Sequence, residues 1–268
     1  MALVVACCNL FLKDGKIDEE VYARIRPTGS VRPRMYGLPK LHKPEPILLR
    51  PILSMVGSAQ HELARWLSEL LAPVLKQYSS RVVKDSFSFC EILRQHDGPV
   101  DGSYMCSFDV KSLFTNVPID ETIKICLDTL YRSEEVDPLG IDEPVLKKLL
   151  LKCTRDVEFS FNDRMYRQSD GVAMGSPLGP ILANIFLGYC ESLIQRWPDL
   201  YRRYGDDTFS LFTGGEQEAL EFLDLLNSLH PSIQFTMEGE IDGRLPFLDA
   251  LVMRMEGLAL LSTGSQRL

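Results

Sequence analysis

No two cysteines in the sequence stand at Cys-x2-Cys spacing, and no histidine accompanies any of them at ligand spacing, which excludes the common zinc-site patterns. The seven present (Cys7, Cys8, Cys90, Cys106, Cys126, Cys153 and Cys190) are odd in number and scattered, a pattern of reduced, mostly buried thiols in an intracellular protein. No apolar run reaches bilayer length. The stretch 2–12 is too short to span, and it lacks the basic start and small-residue cleavage site of a secretory signal, so it is expected to be a buried element with no membrane partner. Internal repeats and low-complexity tracts are missing. No lysine follows Lys152. Positive charge is scarce overall, with a net charge of −8, which excludes a uniformly basic surface. The balance is uneven: residues 1–50 carry 9 Lys/Arg against 5 Asp/Glu, and residues 211–268 carry 3 against 9.

What remains is an ordinary globular chain of 268 residues, 45% hydrophobic and 25% charged, long enough to bury a sizeable core. Residues 26–51 are rich in proline and basic side chains, so a continuous helix is impossible there and an extended, loop-rich segment is expected. Leu63, Leu67, Leu70 and Leu71 recur at helical spacing with Trp66 close to their face, predicting a helix over 57–78. Residues 103–110 read as a buried strand that delivers Asp109 near its end. Helical periodicity covers 119–130, 144–153, 181–195 and 216–229. A hairpin is expected over 157–167 around Asn162 and Asp163. Two short strands should flank a turn at Gly205, Asp206 and Asp207, with two or more strands following through Met255. Helices on one face of a largely antiparallel sheet make this an α+β fold.

Asp206 and Asp207 are adjacent carboxylates between strand-forming aromatic and apolar residues. Their mutual repulsion is relieved if a cation compensates both, and Mg²⁺, a hard ion that takes few protein carboxylates and keeps water or phosphate ligands, suits such a pair. Asp109 offers a third carboxylate from another strand, and three acids from two strand ends suit two ions about 4 Å apart. Each alone has a plainer reading. Gly-Asp is good turn chemistry, and an aspartate at a strand end is often a cap or simply solvated.

The order of motifs distinguishes these readings. SFDVKSLFTNVP (residues 107–118), GVAMGSPLGPILAN (171–184), RYGDDTF (203–209) and LPFLD (245–249) resemble reverse-transcriptase motifs A, B, C and E, in sequence. Upstream, YGLPKLHK (36–43) and RPILS (50–54) resemble the fingers motifs. This wording is similar to that of Penelope-like retroelement reverse transcriptases, relatives of telomerase reverse transcriptase, over roughly residues 30–255. The resemblance implies right-hand polymerase fingers and palm, with an antiparallel palm sheet packed on helices. It implies an RNA-directed DNA polymerase that uses two Mg²⁺ ions to add dNTPs to a primer on an RNA or DNA template, in an intracellular, nuclear setting.

Carried over residue by residue, the resemblance makes Asp109, Asp206 and Asp207 the catalytic, metal-binding acids, joined by the Val110 backbone carbonyl. Phe114 matches the bulky position that disfavours a ribose 2′-hydroxyl, while an ordinary core phenylalanine is the alternative. Lys40 and Arg50 match the basic positions that neutralise the triphosphate, with His42 and Lys43 as weaker template-phosphate candidates. Gly171, Met174 and Gly175, with Ser176 and Pro177, match the motif B loop, where backbone must approach the nucleotide closely. Met174 stands where many relatives have glutamine, so packing replaces an amide contact there. Gly179 replaces a common serine. Gln168 either contacts this loop or ends the hairpin, and Asp249 is assigned no metal.

Three segments are expected: 1–100 with the fingers motifs, 101–256 as palm with inserted fingers elements, and 257–268 as a truncated tail with no recognisable thumb or endonuclease. A partner or a missing C-terminal region would then supply the thumb. Arg244 is an unsupported substitute for a lysine acid toward pyrophosphate. The alternative function is a palm-fold nucleic-acid-binding or interaction protein that is catalytically weak or inactive.

Overall fold

The structure, a computed structural model, describes residues 2–27, 31–39, 49–97, 102–132, 140–155, 157–255 and 257–261. The chain forms two compact units, each built from two stretches of sequence: Met1–Tyr78 with Phe114–Tyr189, and Ser79–Leu113 with Cys190–Leu268.

The first unit contains α1 (Ala2–Lys13), α2 (Glu19–Ile25), β1 (Arg34–Pro39), β2 (Leu49–Ser54), α3 (His61–Gln77), most of α5 (Leu113–Asn116), α6 (Ile119–Arg132), α7 (Glu143–Thr154), β4 (Glu158–Phe161), β5 (Arg164–Arg167) and most of α8 (Leu178–Ser192). On α6, Ile119, Ile123, Cys126, Leu127 and Leu130 form one buried stripe, while Asp120 and Glu121 in the first turn and Arg132 in the last suit the helix dipole. This stripe, with Leu63, Leu67 and Leu71 of α3 and Leu146, Leu150 and Cys153 of α7, makes the helical core. The expected helix over 57–78 starts later, at His61, because residues 56–60 form turns.

A four-stranded sheet completes this unit, in the order β2-β1-β4-β5. Asn162 and Asp163 both hold positive φ (47° and 58°), the backbone of a type I′ turn, which joins β4 to β5 as the sequence predicts. One face packs Met35, Leu53 and Phe159 against Met55, Val157 and Ala173. Helix α8 begins at Leu178, earlier than the expected 181, since Pro180 lies in the first turn where no backbone donor is needed.

The second unit contains α4 (Ser86–Arg94), β3 (Tyr104–Val110), β6 (Leu200–Tyr204), β7 (Asp207–Phe212), α9 (Glu216–Ser228), β8 (Phe235–Gly239), β9 (Arg244–Phe247), β10 (Ala250–Met255) and β11 (Gly257–Leu261). Its main sheet is antiparallel, in the order β6-β7-β3-β8, so β3 is a central strand. Both its faces are covered. Phe89 of α4, Phe209 and Phe247 pack with ring centroids 4.7 to 5.7 Å apart on one face, and Phe108, Phe212 and Phe222 of α9 lie within 5.5 to 6.4 Å of one another on the other. A second sheet, β11-β10-β9, extends past the expected boundary at 256.

All seven cysteines are free thiols. Burial pushes Cys126 and Cys153 up to about 12, and Cys8 up to about 11 with help from neighbouring Cys7. Since only a thiolate attacks an alkylating reagent, modification at pH 8 should be confined to the half-buried Cys7 and Cys90 until urea unfolds the chain. Mass spectrometry of adducts with and without urea checks this. A raised folded-state value means that the native chain holds protons the unfolded chain releases. Stability is therefore full below the unfolded thiol value and declines as pH rises from there toward 12.

Candidate active site

The β3–β7 register runs from Tyr104 opposite Phe212 to Phe108 opposite Thr208. One further step of that register sets Asp109 against Asp207. Because side chains alternate across a strand, both acids fall on the face that holds Met105 and Phe209, beyond the aromatic trio. Asp109 and Asp207 are exposed, and Asp206 is half-buried.

The turn differs from the expected three residues. Tyr204 pairs with Asp207, so the loop is only Gly205 and Asp206, and Asp207 is the first residue of a strand. Gly205 has φ 63°, while Asp206 has ordinary negative φ. Glycine in the first central position is the signature of a type II′ turn, whose twist matches that of the flanking strands. The strand identity of Asp207 follows from this short turn: a longer loop would have left it unpaired.

The three acids supply oxygen donors alone, from positions open to solvent. That chemistry fits a hard divalent cation which retains water or phosphate ligands, and it does not fit zinc. Among the described residues, however, no three His, Cys, Asp or Glu side chains already stand grouped to grip an ion. Val110 is buried, paired with Phe235, and the Asp109 carbonyl accepts from Thr236 Oγ1 at 3.3 Å.

Phe114, Arg50, Gly171, Met174 and Gly175 belong to the first unit. Phe114 is half-buried on α5, and its carbonyl accepts from Val172 N at 2.7 Å. A Cβ on Gly171 would meet the Thr115 carbonyl oxygen at 2.8 Å, and one on Gly179 would lie 3.6 Å from the Phe114 ring. The motif A and motif B segments therefore meet at Phe114 and Thr115. Gln168 contacts the loop as well as ending the hairpin, since its side-chain amide donates to the Gly171 carbonyl at 2.8 Å.

Met174 has a backbone role that the sequence does not reveal. Its carbonyl accepts from Leu53 N at 2.8 Å, and a Cβ on Gly175 would meet the Leu53 oxygen at 2.5 Å. The loop 171–177 thus docks directly on β2, the strand that carries Arg50. Arg50 itself is exposed, opposite Leu38. Lys40, His42 and Lys43 lie outside the described residues.

Residues 41–237 match the reverse transcriptase (RNA-dependent DNA polymerase) family. The chain belongs to that family. No curated protein sequence matches it. Solved structures share its fold: telomerase from Candida albicans in complex with a fragment of telomeric RNA (11% identity, TM-score 0.64, 100% of this chain and 52% of that one), and apo telomerase from Candida tropicalis truncated from its C-terminal domain (11%, TM-score 0.62, 87% and 55%). The RNA-dependent RNA polymerase of a human picobirnavirus is similar too, at 12% identity and TM-score 0.53 over 85% of this chain and 44% of that one. The chain spans about half the length of the telomerase structures it matches. The α+β fold is thus of the polymerase type. Among the described residues, no helix is long and apolar enough to cross a membrane.

In this member of the family, sequence reasoning misses two residues that hold site elements in place. Asp170 Oδ1 accepts from both Gly171 N (2.9 Å) and Ile119 N (3.3 Å), so it ties the glycine loop to the start of α6. Glu191 is buried and accepts from the Tyr201 hydroxyl at 2.8 Å and from Arg203 Nε at 2.6 Å. Burial, then the Glu191 carboxylate, push the Tyr201 phenol well above its ordinary value, so it stays a donor. A glutamate late in an apolar helix has no local pattern to mark it.

Proposed function

We propose that this chain is the fingers-and-palm part of an RNA-directed DNA polymerase from a Penelope-like retroelement, extending a primer 3′-hydroxyl with dNTPs on an RNA or DNA template. The observation that carries this reading is the strand register that puts Asp109 and Asp207 on neighbouring strands, on one sheet face, with Asp206 in the adjoining turn. Asp109 and Asp206, with the Val110 carbonyl, would be the principal ligands of two Mg²⁺ ions, and Asp207 would stand nearer the primer end. Bound there, Mg²⁺ would supply activation of the 3′-hydroxyl and neutralisation of charge on the triphosphate.

The other assignments concern the chain's own groups. Arg50 and Lys40 bind triphosphate oxygens, Arg50 by its planar fork and Lys40 as a point charge. The loop through Gly171, Met174 and Gly175 supports the nucleotide through backbone and packing. The β9–β10 hairpin, with its turn at Leu248 and Asp249, supports the primer strand. Phe114 occupies the space a ribose 2′-hydroxyl would need. Phe114→Ala is therefore expected to raise ribonucleotide incorporation relative to deoxynucleotide on the order of 10²-fold. Competing rNTP and dNTP in single-nucleotide extension checks this, and an unchanged ratio would remove Phe114 from that role.

The direct test of the whole reading is primer extension on an RNA template with dNTPs and Mg²⁺. Extension is the expected result. One observation favours a second reading, a palm-fold nucleic-acid-binding protein without turnover: no three-ligand cluster stands preformed among the described residues. RNA binding without extension in Mg²⁺ or Mn²⁺ would select that reading. A nuclear setting follows from the Penelope-like resemblance, and imaging of the tagged chain that found it excluded from nuclei would reject it.

A further inference from the structure

Arg203 is the largest fully buried side chain in the described protein, 1% exposed, and lies next to the tyrosine that opens the acidic turn. Its charge is met by Glu191 in a two-pronged contact, Nε to Oε1 at 2.6 Å and Nη2 to Oε2 at 3.2 Å. The remaining prong reaches forward: Nη1 donates to the Gly205 carbonyl at 3.0 Å. We propose that Glu191 and Arg203 are a positioning pair that holds the Gly205–Asp206 turn, and so presents Asp206 and Asp207 in one orientation to a divalent cation. The proposal rests on the metal-binding reading of those acids.

Three observations support a positioning role over a merely stabilising one. First, a buried ion pair is a poor source of stability, because apolar side chains of similar volume often serve the fold as well or better. Second, Arg203 pairs with Thr208, so alternation puts it on the sheet face opposite Asp207 and Asp109. Its charge is already met by Glu191. The pair therefore acts on the acids through the Gly205 carbonyl, by geometry, and adds little net field. Third, the pair is itself immobilised. Arg203 N donates to the Arg81 carbonyl at 3.0 Å, and Val83 N donates to the Arg203 carbonyl at 2.8 Å. The Arg81 guanidinium lies 3.7 Å over the Trp197 ring, and Tyr201 donates to the same Glu191 oxygen that Arg203 Nε uses.

The need for such a device follows from the turn. Gly205 has positive φ, and nothing lies within 4 Å of where its Cβ would be, so no packing holds the turn on that side. The adjacent carboxylates carry like charge, and each repels the other. A turn free to rotate would relax by separating them. Anchoring its carbonyl to a locked guanidinium prevents that movement before metal binds, as groups behind a metal's ligands commonly do.

The test uses the full chain and Mn²⁺ as the probe, read by electron paramagnetic resonance of the free ion, alongside melting temperature and the Mg²⁺ dependence of primer extension. The double variant Glu191→Leu/Arg203→Met removes both charges together. It is expected to fold, with Mn²⁺ affinity lowered about 10- to 100-fold and half-maximal Mg²⁺ for extension raised by a similar factor. Arg203→Lys is measured with it, because lysine keeps the charge but cannot span Glu191 and Gly205 together. The same loss is expected there, and it decides the matter if the double variant does not fold. Wild-type Mn²⁺ affinity in a folded variant overturns the positioning role while leaving the metal site standing. If instead Asp206→Asn leaves Mn²⁺ binding unchanged in the otherwise wild-type chain, the metal reading falls and the proposal falls with it.

Discussion

Asp109→Asn, Asp206→Asn and Asp207→Asn are each expected to lower primer extension roughly 10³-fold or more, with the melting temperature unchanged or slightly raised. Asparagine keeps the size and one oxygen of aspartate but loses the charge that a divalent cation requires. The stability side of the prediction follows from position. Asp109 and Asp207 are exposed and stand on adjacent strands, so neutralising either removes a like-charge repulsion across the sheet. A variant that simply unfolded would lose activity and melting temperature together. The expected signature is loss of the first without the second, read by single-turnover extension and a thermal melt. Extension that survives Asp207→Asn would overturn the catalytic assignment.

Gly175→Ala is the second large effect, and here stability itself should suffer. Gly175 has φ 118°, a conformation nearly closed to any residue with a side chain, and the new methyl would sit 2.5 Å from the Leu53 carbonyl oxygen. Leu53 cannot yield readily, since its N–H is bonded to the Met174 carbonyl and its side chain is buried. Backbone strain and overpacking together should cost on the order of 3 kcal/mol, lowering the melting temperature by roughly 10 °C. Gly205→Ala provides the comparison: its φ is also positive, but no atom lies within 4 Å, so about 1 kcal/mol is expected. Equal destabilisation by the two variants would show that close approach to β2 is not what requires glycine at 175.

The fold was legible where local chemistry decides conformation. Asn162 and Asp163 tolerate positive φ, so the β4–β5 hairpin could be read directly. The apolar stripes of α6 and α7 likewise announce helices whatever surrounds them. Helix α4 was not legible, because SFSFCEILR alternates like a strand in its first half. A capping box between Asp85 and Ser88 and the burial of Phe89 and Leu93, four residues apart, make it helical despite an exposed Phe87. The placement of β8 beside β3 was hidden too, since pairing across more than 120 residues leaves no short-range pattern.

The candidate site divides along the same line. By itself the sequence determined the three carboxylates, the glycine that permits a tight turn, and the order of motifs that marks the reverse-transcriptase family. These are matters of residue type, local backbone freedom and succession along the chain. Only the tertiary structure decided that Asp207 belongs to a strand opposite Asp109, and that β2 docks on the Met174–Gly175 backbone. It also decided that a glutamate twelve residues before Arg203 closes on that guanidinium beneath the acidic turn. Those outcomes depend on strand register and on which polar groups are taken out of water together. A buried charge must find its partner in space, and neither residue's neighbours in sequence reveal that partner.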